Sequence, residues 1–315
     1  MAKTNKSKIS TRSIKARVLI LLVFLLLLYI VLPQIDSFAE SFAVLKEASL
    51  QLVALAFLLV VASYFVAGAT YLLLAVRKLR FGRTVLIQGA SAFANRILPA
   101  GLGGLTLNVE YLRKQRHTLP QAIAVAGTNN TLGFIGHLCI LAVLVLTTDE
   151  PLTGTVRLPY EPLVWGVAVA GVLIAIVLVL APGLRASLLR LLAGIGKQFV
   201  SYRKRPLRLF TALGTSMGVT LISVAVFYLS SHAVGVPLTA LQALLVFTVG
   251  VLVGTVTPTP GGLGGVEAGL VAGSLAYGYG ASLALAAALM YRLLTYWLPL
   301  LPGFALFMFG RKYYL

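Results

Sequence analysis

The sequence predicts an all-α protein, a polytopic membrane helical bundle, from its composition and from the arrangement of its charges. Hydrophobic residues make up 59% of the 315 positions and charged residues 11%, with a mean hydropathy of +0.96. Soluble domains carry about 25% charged residues. The net charge is +18, but the basic residues lie in short clusters between long apolar runs. A nucleic-acid-binding protein needs a continuous basic patch instead, so we expect no nucleic-acid partner.

The first apolar run is Val18–Leu32, which follows a basic segment at residues 1–17. This arrangement is similar to a signal peptide, but no small-x-small cleavage site follows the run. We therefore predict a retained first membrane helix, since a spanning helix needs about 20 mostly apolar residues. Further apolar runs cover Leu50–Val76, Thr84–Leu98, Pro120–Leu146, Leu163–Pro182, Leu209–Ser231, Leu238–Val256, Leu263–Tyr277 and Ala281–Phe309.

The charges between the runs predict the orientation of the chain. Basic clusters lie at residues 77–83, 113–116, 185–208 and 311–312, whereas acidic residues lie at 36–47 and 149–161. Loops rich in Lys and Arg stay on the cytoplasmic side. The pattern predicts a multi-pass protein of a bacterial-type inner (cytoplasmic) membrane, with its N and C termini in the cytoplasm.

Two Pro/Gly breaks predict re-entrant hairpins. Arg83 and Arg113 both fall on the predicted cytoplasmic side, so the segment broken at 99–104 must enter and leave by the same face. The segment broken at 257–262 must likewise enter and leave by one face, in this case the external face. We predict six spans and two opposed hairpins, in an inverted-topology repeat within one membrane domain, with repeats at residues 18–148 and 149–315. Eight or nine ordinary spans is the alternative count.

Four charges remain once the loops are set aside: Arg96, Glu110, Glu267 and Arg292. Each costs about 2.5–3.5 kcal/mol inside a span on insertion scales, so each needs a partner or water. Arginine donates bidentately to phosphate and stays charged, which favours a site for an anionic headgroup or a lipid phosphate. Alternatively, the four form two internal salt bridges, Arg96–Glu110 and Glu267–Arg292.

The breaks themselves are candidate ligand sites, because irregular backbone in a membrane is tolerated where it lines a cavity. A half-helix beginning at either break would direct its N–H groups and its positive dipole end at a phosphate. The alternative is a kinked helix packed through small residues. The predicted substrate-binding residues are Asn95, Arg96, Gly103, Gly104, Glu110, Pro258, Pro260, Gly261, Gly262, Gly264, Glu267 and Arg292.

The second break resembles a family signature. Residues 257–267 read TPTPGGLGGVE, which is similar to the PxPGGxGxxE pattern of the lysylphosphatidylglycerol synthase transmembrane, or flippase-like, family. The first break, NRILPAGLGG at residues 95–104, also fits. The resemblance extends from about Val18 to Phe309. It implies a stand-alone member without the aminoacyltransferase domain that fused members carry.

The resemblance implies a flippase that moves an anionic or aminoacylated phospholipid, or a polyprenyl-phosphate-linked lipid, between leaflets. Its partners would be membrane lipids, and a separate synthase or glycosyltransferase is a further candidate partner. The alternatives are an ion- or proton-coupled transporter of a small solute and a non-catalytic partner of such an enzyme. We expect neither enzymatic activity nor a cofactor or metal, because no catalytic motif is present and Cys139 is the one cysteine.

Overall fold

The computed structural model describes residues 43–98, 101–147, 206–257 and 259–314, together with isolated positions between 183 and 200. The predicted spans Val18–Leu32 and Leu163–Pro182 lie outside the described residues. The described elements are all helical: α1 (Leu50–Leu74), α2 (Phe81–Ile97), α3 (Leu102–Lys114), α4 (Leu119–Thr147), α5 (Pro206–Ala233), α6 (Ala240–Val256), α7 (Gly265–Ala276), α8 (Ala281–Arg292), a π-helical turn (Leu293–Trp297) and α9 (Leu300–Tyr314).

The exterior of the bundle is apolar, as a lipid environment requires. Three helical segments in the described part of the chain are long and apolar enough to cross a membrane: Leu50–Leu74, Pro206–Ala233 and Ala281–Gly310. Large apolar side chains lie on the surface, among them Leu58, Phe210 and Phe309, which are 62%, 69% and 75% exposed. Such a surface is solvated by acyl chains rather than by water. The prediction of a helical membrane bundle is confirmed.

Helices α1 and α5 form an antiparallel pair at the centre of the described bundle. The Ser49 N–H, just before α1, donates to the Ala233 carbonyl at the end of α5 at 2.9 Å. Farther along the pair, the Thr70 hydroxyl donates to the Thr215 hydroxyl at 2.9 Å. Helices α2 and α3 come directly after α1 in the chain, and helices α6 and α7 come directly after α5. Because α1 and α5 run in opposite directions, the pair α2/α3 starts at one end of the bundle and the pair α6/α7 starts at the other.

Helices α6 and α7 form a tight antiparallel hairpin through small residues. A Cβ atom on Gly269 would lie 2.7 Å from the Gly250 Cα, and one on Gly254 would lie 2.3 Å from a methyl group of Val266. Backbones approach this closely only where no side chain separates them. The glycines therefore set how closely the two arms of this hairpin pack.

Helices α2 and α3 also form an antiparallel hairpin, but polar side chains hold it together. Asn108 donates to the Ser91 hydroxyl at 2.9 Å and accepts from the Gln88 amide at 3.0 Å. The Thr84 and Tyr111 hydroxyls are 2.9 Å apart. These side chains are buried, so each bond satisfies groups that would otherwise be costly away from water.

The last predicted run, Ala281–Phe309, is not one regular helix. Helix α8 ends at Arg292, a π-helical turn covers Leu293–Trp297, and α9 starts at Leu300. Within this turn the Leu298 N–H donates to the Leu293 carbonyl at 2.8 Å, five residues back. Pro299 explains the interruption, because it has no N–H and leaves the Thr295 carbonyl without its helical donor. Such π-bulges occur often at functional sites.

Candidate functional site

The tips of the two hairpins meet beside the π-helical turn. A Cβ atom on Gly261, in the second break, would lie 3.6 Å from the Cα of Arg96, at the end of α2. The same atom would lie 2.5 Å from the Tyr296 ring. Gly261 also has a φ of +62°, a left-handed conformation that favours glycine. This junction thus brings together residues from both predicted breaks and from the last helix.

Glu267 and Arg292 form a buried ion pair at the second break. Arg292 Nε donates to Glu267 Oε1 at 2.7 Å, and the two side chains are 8% and 17% exposed. Arg292 Nη2 also donates to the Gly261 carbonyl at 3.1 Å, while Glu267 Oε2 accepts from the Gly264 N–H at 2.9 Å. This pair matches the alternative that the sequence left open for these two residues. The two charges of the pair cancel, and its bonds to Gly261 and Gly264 attach the irregular turn before α7 to the end of α8.

Arg96 has no such counter-ion. Its Nη2 donates to the Thr295 carbonyl, the acceptor released by Pro299. Its guanidinium carbon lies 5.4 Å from the Tyr296 ring centroid, and that of Arg292 lies 4.4 Å from the same centroid. Arg96 Nε is buried without a hydrogen-bond partner, and no carboxylate of the described residues lies within ion-pair distance. Arg96 is therefore a positive charge with a spare donor.

The other proposed ion pair, Arg96–Glu110, is not formed. Glu110 instead contacts Arg113, three residues later on the same helix, at 3.5 Å, and the Glu110 side chain is 45% exposed. Residues three apart on a helix are neighbours on its surface. Glu110 therefore lies away from the junction, and the structure does not bring it together with Arg96.

The junction lies deep within the predicted spans. Tyr64 of α1 lies close to the Arg96 guanidinium. It is ten residues from the end of α1 at Leu74, or about 15 Å at the rise of an α-helix. Arg292 is eleven residues from the start of the span Ala281–Gly310, or about 17 Å. Arg96 is in the last turn of α2 and Arg292 is the last residue of α8, but both lie beside the middle of long apolar segments, Leu50–Leu74 and Ala281–Gly310, rather than at the ends of those segments.

The remaining predicted residues shape the two breaks. Asn95 Oδ1 accepts from the Gly104 N–H at 2.5 Å, so it caps α3. A Cβ atom on Gly103 would overlap the Ala94 carbonyl, so this position must stay small. Pro260 and Gly262 form the turn before α7: their backbones accept from Leu263 and donate to Thr259 respectively. Pro258 lies outside the described residues.

Two spaces of opposite character lie next to the junction. A polar cavity of about 290 Å³ is bounded by α1, α2, α3 and α4 and reaches Asn95 and Tyr64. An apolar cleft of about 320 Å³ lies between α1, α2 and α9, and Tyr64 borders it as well. The sequence alone did not point to Tyr64 or to the Thr295 carbonyl. Pro299 was the one available signal for the carbonyl, whereas Tyr64 stands in an ordinary apolar run.

The fold and the site define an α-helical membrane protein with a cationic group held deep among its helices. The family model described as lysylphosphatidylglycerol synthase TM region matches residues 16–303. The chain belongs to that family. No curated protein matches the chain at a significant level. Among the described residues, no three His, Cys, Asp or Glu side chains are grouped as a metal site would require.

Proposed function

We propose that this protein is a flippase-like lipid transporter, which moves a lipid with an anionic phosphate between the two leaflets. The observation that carries the proposal is Arg96, a cation deep among the helices with a neutral acceptor, a spare buried donor and no carboxylate partner. An unpaired charge in a span is costly. A phosphate that visits the site supplies the missing counter-ion, and the planar guanidinium suits it.

The path for the headgroup would run between the hairpin tips. The antiparallel pair α1/α5 and the start of each hairpin at opposite ends of that pair support an inverted repeat with two opposed re-entrant hairpins. The contact of Gly261 with Arg96 and Tyr296 supports a meeting of the tips at depth. Each hairpin then covers part of the membrane thickness, and a small movement at either tip opens the junction to one side.

The apolar cleft favours a lipid over a small water-soluble solute. It is lined by apolar side chains including Phe57, Leu86 and Leu306, of which Phe57 and Leu86 are 38% and 42% exposed. A solute pocket would be sealed from the surrounding lipid. An acyl or prenyl chain could stay in this cleft while its phosphate reached Arg96 past Tyr64, which borders the cleft.

Family membership supports a lipid-related role without naming the substrate. The candidates are an anionic or aminoacylated phospholipid and a polyprenyl-phosphate-linked lipid, and a separate synthase or glycosyltransferase would supply it. The proposed role needs no catalytic group, cofactor or metal. The charge pattern of the loops supports a cytoplasmic membrane with both termini in the cytoplasm.

The test is translocation in reconstituted vesicles. Lipids with a fluorescent acyl chain are placed in both leaflets, and a membrane-impermeant quencher removes the outer-leaflet signal. In vesicles that contain the protein, lipid from the inner leaflet should move to the outer leaflet and be quenched as well. This loss is expected for at least one of three lipids: phosphatidylglycerol, phosphatidic acid and a polyprenyl phosphate. If none of these lipids moves faster than in protein-free vesicles, the proposal is wrong.

The decisive variant is Arg96→Gln, with Arg113→Gln as its matched control. A hydrogen bond to a charged group contributes about 1.5–3 kcal/mol, which corresponds to roughly a 10- to 100-fold effect. We therefore expect Arg96→Gln to slow translocation by at least about tenfold. Arg113 is 51% exposed and pairs at the surface, so its variant should retain the rate. Equal rates in the two variants would contradict the assigned role of Arg96.

A further inference from the structure

The polar cavity beside the hairpin junction is lined by uncharged hydrogen-bonding groups. Amides and hydroxyls of α1 to α4 line it, among them Ser63, Tyr64, Asn95, Asn108, Asn129 and Asn130. A second lobe of about 290 Å³ shares Asn129 and Asn130 and adds Thr70, Ser216 and Thr220. No described Asp, Glu, Lys or Arg lines either lobe. This is a neutral, polar space among membrane helices.

Asn129 and Asn130 are the groups in this cavity with the most unused hydrogen-bonding capacity. Both stand on α4, Asn129 ten residues after its start, or about 15 Å along the axis. The contact between them, from Asn129 Nδ2 to Asn130 Oδ1, is long at 3.5 Å. Asn108, in contrast, makes three bonds within the cavity wall. Asn129 is half-buried and Asn130 is exposed, so both amides are accessible to a ligand that enters the cavity.

The chemistry of the lining selects the class of ligand. A cationic aminoacyl headgroup would need a carboxylate counter-ion, because a charge taken from water into a neutral site is destabilised. Hydroxyl groups need no counter-ion, and each can donate to an amide oxygen and accept from an amide N–H. The two lobes together fall within the range of small-ligand sites, about 300–1,000 Å³.

We propose that this cavity binds an uncharged, polyhydroxylated headgroup, of the sugar or polyol class, carried by the translocated lipid. The inference rests on the proposed function: the phosphate is held at Arg96, the chain lies in the apolar cleft, and Tyr64, which borders both spaces, marks the boundary between them. Asn129 and Asn130 donate to and accept from the hydroxyls. Substrate selectivity then comes from α4 rather than from either hairpin tip.

The experiment is lipid competition on the purified full chain in nanodiscs, read by native mass spectrometry of retained lipid. Phosphatidylinositol and phosphatidylmethanol with identical acyl chains are phosphodiesters with the same single negative charge, and they differ in that one carries a cyclic polyol where the other carries a methyl group. We expect phosphatidylinositol to be retained about tenfold better, as two or so net hydrogen bonds would give. Phosphatidylglycerol esterified with lysine should compete more weakly than phosphatidylinositol.

The variant Asn129→Ala/Asn130→Ala should lose the preference for phosphatidylinositol while still retaining phosphatidylmethanol, which also shows that it is folded. Its control is Thr131→Val on the same helix, since the Thr131 hydroxyl bonds its own helix at Gly127. Arg96→Gln should weaken retention of both lipids equally.

Equal retention of the two lipids by the unmodified chain would overturn this inference and leave the flippase proposal standing. A preference for the lysyl ester, or a preference for phosphatidylinositol that survives the double variant, would overturn it in the same way. Failure to retain any of these lipids, together with no translocation in vesicles, would remove the flippase proposal as well.

Discussion

Arg96 and Arg292 are the same residue type and share the ring of Tyr296, yet their charges have different surroundings. Arg292 has a carboxylate at 2.7 Å, so the pair is neutral and holds the second break against α8. Arg96 has a carbonyl and a phenol ring instead. Because a neutral acceptor does not cancel a charge, Arg96 carries the positive potential of the site. The partner of each arginine therefore decides whether its charge is cancelled.

Glu267→Gln should destabilise the protein far more than Glu110→Gln. Removing one partner of a buried ion pair costs about 3–5 kcal/mol, because the other charge stays buried. An exposed pair such as Glu110–Arg113 contributes about 0–1 kcal/mol. The measurement is the free energy of unfolding in bicelles. Restoration of stability in the double variant Glu267→Gln/Arg292→Gln would show coupling of the two side chains, and an unchanged loss would contradict it.

Gly261→Ala should disrupt the junction of the two hairpins. The left-handed backbone costs a non-glycine residue about 1–2 kcal/mol, and the new methyl group would overlap the Tyr296 ring. Gly214→Ala is the control, because that helical position has nothing within 4 Å and alanine favours a helix by about 0.5–1 kcal/mol. Opposite shifts in thermal unfolding temperature are expected. A stabilised Gly261→Ala variant would show that the turn is not built as described.

At the scale of elements, the sequence predicts where helices break but not how the ends are joined. Pro and Gly residues at 257–262 correctly predict the gap between α6 and α7, because these residues act on their local backbone. The π-helical turn was missed, because Pro299 stands in a run that stays apolar. The partner of Arg96 could not be predicted either. Thr295 is 199 residues away, and nothing local distinguishes it from Glu110 as a partner.

The turn between α3 and α4 contains His117, which should make the stability of the protein depend on pH. This buried ring accepts from the Arg77 N–H at Nε2, 3.2 Å away, and its Nδ1 lies 3.0 Å from the Leu112 carbonyl. The bond from Arg77 requires an unprotonated Nε2 and is lost when the ring is protonated, whereas the Nδ1–H donates to the Leu112 carbonyl in both states. Burial, with a smaller contribution from the charge of Arg77, lowers the pKa of His117 below its usual value.

The unfolded chain therefore binds a proton at pH values where the folded chain does not, so stability must fall as the pH decreases. The contribution of His117 is complete above the unfolded pKa of about 6.5 and is lost as the pH falls toward the lower folded value. Urea unfolding in detergent between pH 8 and pH 5 measures this slope. His117→Gln should flatten it, and a variant with an unchanged slope would assign the pH sensitivity to another group.

At the scale of the whole molecule, the central antiparallel pair is the feature that the proposed inverted repeat requires. Helices α1 and α5 run in opposite directions, so whatever follows each of them starts at the opposite end of the bundle. The charge clusters predict the same inversion from the loops alone. Hydropathy cannot decide whether a hairpin crosses fully, because arms of 17 residues such as α2 and α6 are close to the spanning length.

Cysteine accessibility separates re-entrant hairpins from full spans. In a chain carrying Cys139→Ala, single substitutions Lys78→Cys and Lys114→Cys should react with an impermeant maleimide only from the cytoplasmic face. Pro237→Cys and Gly280→Cys should react only from the opposite face, since all four positions are exposed. Both models share this result, so the discriminating position is Leu98→Cys at the exposed tip of α2. If the tip of α2 meets Gly261 inside the membrane, Leu98→Cys should not react with reagent on the far face. Rapid far-face labelling would establish a full crossing and would remove the opposed-hairpin path on which the proposed translocation depends.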